Sequence, residues 1–241
     1  MPNKVAVVVG AGDAIGSAIV KKFAKRGLTV CALRRNGEKL VPLIQELNAA
    51  GFAAHGYSCD ARKEEQIIER FAAIEEEIGE IDVVVFNIGA NVPMGILDTD
   101  SRKFFKIWEM GCFAGFLTGR EAARYMTKRG CGTIIFTGAT ASVRGAAGFA
   151  AFASAKHALR ALAQSMAREL GPQNIHVAHV VIDAAVDTAW IMENIPEAQE
   201  MKKKDGIIIP DDLATNYVML YDQPRNAWTF ELDLRPWSER W

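Results

Sequence analysis

Val5-Ala-Val-Val-Val-Gly-Ala-Gly-Asp-Ala-Ile-Gly16 changes backbone period partway along its length. Val5–Val9 is a continuous apolar run dominated by β-branched side chains, the pattern of a strand buried on both faces. From Ile15 to Arg26 the apolar residues Ile15, Ile19, Val20 and Phe23 recur at helical spacing. Between the two, Gly10 and Gly16 permit a tight turn and close backbone approach. The helix start then offers free N–H groups to an anion. A glycine turn alone marks many ordinary loops; placed between a strand and a helix, it predicts a phosphate cradle at the head of a βαβ unit.

Outward from this turn the same alternation runs along the chain. Further strands are expected at Leu28–Leu33, Ala53–Ser58, Val83–Asn87, Gly132–Thr137, His176–Ile182 and Trp228–Leu234. Helices are expected at Glu38–Ala50, Lys63–Ile78, Ser101–Lys128, Phe149–Leu170 and Asp211–Leu220. This order predicts an α/β, Rossmann-like, doubly wound fold: a mostly parallel seven-stranded sheet with helices on both faces, in one domain over residues 1–241. Ligands of such sheets bind at the carboxyl ends of the strands, where the strand order switches. Residues 188–210 break the rhythm, with Trp190, Met192, Pro196 and a Lys-Lys-Lys-Asp-Gly turn at 202–206. Following the sixth strand, this segment is the candidate substrate lid.

The totals exclude several classes. A net charge of −1, with basic runs no longer than Arg34-Arg35 and Lys202-Lys203-Lys204, argues against a nucleic-acid partner. No apolar run reaches the roughly 18–20 residues of a membrane span, and no signal-peptide pattern opens the chain, so a cytoplasmic protein is expected. Cys31, Cys59, Cys112 and Cys131 are widely spaced in apolar or small-residue settings and are expected as buried, reduced thiols. No His, Cys and Asp cluster has metal-ligand spacing.

The glycine turn, Asn87-Ile-Gly89 and Gly148-Phe-Ala-Ala-Phe-Ala-Ser-Ala-Lys156 together resemble the short-chain dehydrogenase/reductase family, over about residues 4–235. The resemblance implies a nicotinamide dinucleotide held by Gly10, Gly12, Asp13, Ile15 and Gly16, with Ala14 where the family's middle glycine stands. It implies an adenine contact at Asp60, strand-end contacts at Asn87 and Gly89, a carboxamide contact at Thr188, and a ribose contact at Lys156. The second strand ends in Arg34 and Arg35 with no acid, which favours NADP(H) because a guanidinium chelates a 2′-phosphate. Asp13 pulls the other way, toward NAD(H), since NADP-binding relatives often carry a base in this turn.

For the chemistry, the same resemblance points to an Asn-Ser-Tyr-Lys relay of which this chain keeps Lys156. The tyrosine position holds Phe152, the serine position holds Ala139, and the asparagine position aligns with Gly111. Tyr to Phe and Ser to Ala each delete a hydroxyl at nearly constant volume, so packing survives while proton transfer is lost. Losing a general acid costs about 10²–10⁴ in rate. Asp183, at the end of the sixth strand, is a candidate replacement acid or base, and Thr140 and Ser142 are candidate ligands for a substrate oxygen. Two functions follow. One is a divergent NADP(H)-dependent oxidoreductase acting on a small molecule; the other is a non-catalytic NADP(H)-binding member, a ligand sensor or structural subunit. The family's helix packing implies a homodimer or homotetramer through the helices beginning at Ser101 and Phe149, and the tail tryptophans, Trp237 and Trp241, are expected to pack on a neighbour or on the lid.

Overall fold

In the computed structural model, which describes residues 3–239, β1 (Lys4–Val9) is an interior strand of a parallel sheet and divides its side chains between two apolar layers. Val5, Val7 and Val9 enter one core, while Ala6 and Val8 enter the other, as the two-residue strand period requires. The chain continues as α1 (Ile15–Lys25), β2 (Thr29–Arg34), α2 (Val41–Ala49), β3 (Ala54–Ser58), α3 (Glu64–Glu77) and β4 (Glu80–Phe86). The second half is α4 (Ser101–Trp108), α5 (Ala114–Arg129), β5 (Gly132–Thr137), α6 (Ala150–Leu170) and β6 (Ile175–Ile182). It closes with α7 (Ala189–Asn194), α8 (Ala198–Lys203), α9 (Pro210–Tyr221) and β7 (Glu231–Leu234). The strand order β3-β2-β1-β4-β5-β6-β7 is the expected seven-stranded, doubly wound sheet. Ile19, Phe23 and Leu220 from α1 and α9 cover one face; Phe71, Leu117 and Leu159 from α3, α5 and α6 cover the other.

Register positions the site. Val9 lies opposite both Leu33 and Phe86, Phe86 opposite Phe136, and Thr137 opposite Val180. The turns that begin at Gly10, Asn87 and Gly138 therefore leave the sheet at one level, on either side of the point where the order switches between β1 and β4.

Three expectations are corrected. The helix expected over Ser101–Lys128 is interrupted by a π turn at Glu109–Phe113, such turns being common at functional sites. Residues 188–210 are not irregular: they hold α7 and α8, with Thr188 capping α7 and a bridge from Val186 to Ile208 closing the excursion. Cys131 is exposed, because Gly130 ends α5 in the left-handed conformation and sets Cys131 in the turn before β5; the other three thiols are buried and all four are free. Among the described residues no helix is long and apolar enough to cross a membrane, and no cluster of acids, histidines and cysteines could hold a metal. Trp241 lies outside the described residues.

Candidate functional site

The glycine turn after β1 is built to bring backbone close to backbone. Gly10 has φ +90°, and a Cβ there would lie 2.7 Å from the Asn87 carbonyl oxygen. A Cβ on Gly16 would lie 2.6 Å from the Gly10 carbonyl oxygen, so both positions admit only glycine. Asn87 Nδ2 donates to the Gly10 carbonyl at 3.1 Å and ties the ends of β1 and β4 together. At Gly12 and Gly89, by contrast, a Cβ would meet nothing within 4 Å. This open space is a cradle against bare backbone. The start of α1 has neither a side-chain cap nor an acid in its first turn; with the Ser17 N–H on the Gly12 carbonyl at 2.8 Å and that of Ala18 on Ala14 at 3.0 Å, the N–H groups of Ile15 and Gly16 are left to an external anion.

Two cavities share a wall here. The smaller, about 460 Å³, runs from Gly12 and Asp13 past Arg34 and Arg35 to Asp60 and Arg62. The larger, about 680 Å³, is lined by Ala139, Phe149, Phe152 and Lys156 among others. Ile15, Asn87, Ile88, Gly89 and Thr188 belong to both, so the two form one continuous cleft along the carboxyl edge of the sheet. All the residues expected to bind a dinucleotide are brought together along it. The open cradle, the uncapped helix and a cleft of this length fit such a ligand.

Arg34 is not free in the smaller cavity. Its guanidinium donates to both oxygens of Asp13, at 2.6 and 3.2 Å, and this holds the Asp13 carboxyl below the usual range. Asp60 is likewise gripped by Arg62, whose side-chain hydrogen bonds lower its pKa; Arg62 also approaches Glu109 at 3.5 Å. Arg62 was not singled out from the sequence, although its place two residues after Asp60 was a usable signal.

In the larger cavity, Lys156 is 2% exposed. Its Nζ donates to the carbonyls of Thr137 at 2.8 Å and Ile88 at 3.0 Å, and burial pulls its pKa down to about 8. Phe152, one helical turn earlier on α6, and Ala139, after β5, also line this cavity. Gly111 packs its backbone on α6, where a Cβ would come 3.0 Å from that of Ala155. Cys112, one residue on in the π turn, is buried, and its thiol interacts electrostatically with Lys156.

The remaining candidates are committed elsewhere. Thr140 Oγ1 donates to Asp183 Oδ1 at 2.6 Å, and Arg144 Nη2 donates to the same oxygen at 3.3 Å. Asp183 is 5% exposed and lies outside the cavity wall, so its carboxylate holds the loop after β5 to the end of β6. Ser142 is fully buried and accepts from the Ala139 N–H at 3.1 Å, as a turn-former. Ser154 and His157 bond back to their own helix. His179 is buried with Nδ1 on Glu231, and burial drops its pKa to about 4.

The fold and this cleft define a Rossmann-type, nucleotide-binding oxidoreductase. Residues 4–199 match the family model described as short chain dehydrogenase, and the chain belongs to that family. It is similar to zerumbone synthase of Zingiber zerumbet, with 30% identity over 201 residues, covering 83% of this chain and 74% of that protein. A short-chain dehydrogenase from Rhodopseudomonas palustris is 49% identical, with a TM-score of 0.84 over 98% of this chain and 99% of that one. A metagenomic short-chain oxidoreductase solved in complex with NADP is 26% identical, with a TM-score of 0.83 over 98% of both chains.

Proposed function

We propose that this chain is a divergent NADP(H)-dependent oxidoreductase acting on a small molecule, in which Lys156 both anchors the nucleotide ribose and bears the proton that the family's tyrosine would carry. The observation behind this reading is the setting of Lys156. Its ammonium lines the larger cavity and is fixed between two carbonyls, one of them that of Ile88, a residue of both cavities, and the hydroxyls of Thr140 and Ser142 are already engaged. A group with a pKa near 8 is suited to proton transfer close to neutrality. When bound, the nicotinamide supplies the hydride. Phe152 and Ala139 keep the volumes of the missing Tyr and Ser and exclude water from the floor of the cavity. Lining the cleft, Gly10, Gly12, Ile15 and Gly16 would hold the diphosphate, Asn87 and Gly89 would border it, Thr188 would bind the carboxamide, and Arg34 and Arg35 would bind the 2′-phosphate. The relative solved with NADP supports this choice of nucleotide. Residues 188–210, carrying α7 and α8, serve as the lid of the single domain.

The second reading, a non-catalytic nucleotide-binding subunit, is favoured by the walls of the larger cavity, which among the described residues include no tyrosine. Fluorescence titration separates the first question: micromolar binding of NADPH, about tenfold tighter than NADH, is expected, and failure of both to bind sinks the proposal. NADPH oxidation over a carbonyl panel separates the second. Turnover that Lys156→Met abolishes supports the enzyme. Turnover that appears only after Phe152→Tyr with Ala139→Ser supports the non-catalytic subunit.

A further inference from the structure

The larger cavity is lined mainly by apolar groups, Phe149, Phe152, Val186 and Ile191 among them, and among the described residues its only charged side chains are Lys156 and Arg144. No acid lines it. Lys156 has two of its three N–H groups on backbone carbonyls and is only 2% exposed. Arg144 is different: its side chain is 46% exposed and only Nη2 meets a carboxylate, Asp183 Oδ1 at 3.3 Å. The charge of Asp183 is shared inside the protein, with Thr140 at 2.6 Å and Arg235 at 3.8 Å. A second carboxylate, that of Glu239, stands 3.8 Å from Arg144 Nη2, beyond hydrogen-bonding distance. Glu239 belongs to the segment after β7, which is tied to the lid where Trp237 Nε1 donates to the Lys204 carbonyl at 3.1 Å. The chain thus rests one of its own carboxylates loosely against the exposed cation of the cavity.

We propose that the cavity takes a substrate with an apolar, ring-sized body and a carboxylate, the carboxylate pairing with Arg144 in the place now taken by Glu239. This rests on the reading of the larger cavity as the substrate site. A guanidinium can meet a carboxylate through two parallel hydrogen bonds, which the present contact with Glu239 does not achieve. The apolar body follows from the wall that Phe149, Phe152, Val186 and Ile191 form, where a polar group beyond the reach of Lys156 would lose its hydration without gaining a partner. A cavity of about 680 Å³ accommodates a ligand of this kind.

The test uses 2-naphthoate and 2-naphthamide, equal in shape and differing in charge, titrated calorimetrically into the full-length protein with and without saturating NADPH. Naphthoate is expected to bind at least tenfold more tightly than naphthamide. Arg144→Gln should remove the preference while naphthamide affinity is kept, which shows the cavity intact, and Arg144→Lys should restore part of it. Glu239→Gln should tighten naphthoate severalfold and leave naphthamide unchanged. Equal affinities in the native chain, no saturable naphthoate binding, or a preference that survives Arg144→Gln overturns the proposal; an unchanged naphthoate affinity in Glu239→Gln overturns the displacement of Glu239. Absence of NADPH binding would instead overturn the nucleotide reading, while the titration without nucleotide still decides the carboxylate site.

Discussion

Asp13 holds Arg34 through both of its oxygens, so a 2′-phosphate that reaches Arg34 meets an anion already in place. The Asp13 side chain is 79% exposed, and such surface pairs are worth about 0.2–1 kcal/mol, enough to weaken a nucleotide without preventing its binding. Asp13→Asn is therefore expected to tighten NADPH about three- to fivefold while NADH changes little, read by fluorescence titration. Arg35→Ala, which removes a cation of the same cavity wall, should weaken NADPH by about tenfold or more and spare NADH. Lys156 makes a pH-dependent contribution whose sign follows from its burial. Its pKa falls from 10.5 to about 8 on folding, so between these values the unfolded chain binds more protons and stability rises with pH. Below about pH 8 the ammonium is charged in both states and its burial opposes folding by about 3 kcal/mol. Urea unfolding at pH 7.5 and 9.5 should show a gain of about 2 kcal/mol in the native chain relative to Lys156→Met. Equal pH responses would show that the ammonium is not desolvated.

The α5–α6 contact illustrates what an element needs beyond its own period. A Cβ on Gly115 would fall 2.5 Å from Leu159 Cδ1 and 3.2 Å from Phe86 Cε1, two side chains with no exposure. Overpacking of this kind costs about 1–3 kcal/mol, against which better helix propensity returns up to about 1 kcal/mol. Gly115→Ala should accordingly lower stability by about 1–2 kcal/mol in denaturant unfolding, and an unchanged midpoint would mean that Leu159 has room to turn. The strands were legible because Val5–Val9 and Val83–Phe86 carry their burial in composition, and the phosphate turn because Gly10 and Gly16 are demanded by backbone contacts within one βαβ unit. The π turn was not: it sets Gly111 where a Cβ would come 3.0 Å from that of Ala155, a contact made only in the folded chain. α7 and α8 are each only six residues long, too short for a period to stand out. Within the site, positions tied to the sheet edge were readable, whereas Arg144 and Asp183 meet across 39 residues and Asp13 and Arg34 across 21. Such pairings come from tertiary contact, which leaves no mark on local spacing.

At the scale of the whole molecule, the helix pair from Ser101 to Arg129 carries an aromatic stripe whose end members, Phe105 and Phe116, are left exposed by the described residues, while Trp108 and Phe113 between them are half-buried. Phe105, Trp108, Phe113 and Phe116 follow one another with ring centroids 6.1, 6.3 and 6.1 Å apart across α4, the π turn and α5. Phe105 is 60% exposed and Phe116 36%. On α6, the second helix considered for assembly, Phe152, Leu159 and Leu170 are consumed inside the monomer, so it contributes less free apolar surface than its sequence suggested. A contiguous aromatic strip of this kind, rimmed by charges such as Arg120 over the Phe116 ring, has the composition of a protein interface. A second copy of the chain would supply the same stripe in opposite direction and close a two-fold contact. The expected species in sedimentation is thus a homodimer, or a homotetramer if a second contact forms, and Phe105→Glu with Phe116→Glu should reduce it to the monomer mass. Both side chains lie away from the cleft walls, so the monomer should still bind NADPH. A native chain that sediments as a monomer at tens of micromolar would assign the stripe to some other partner, and a double variant that keeps the native mass would place the subunit contact on another face.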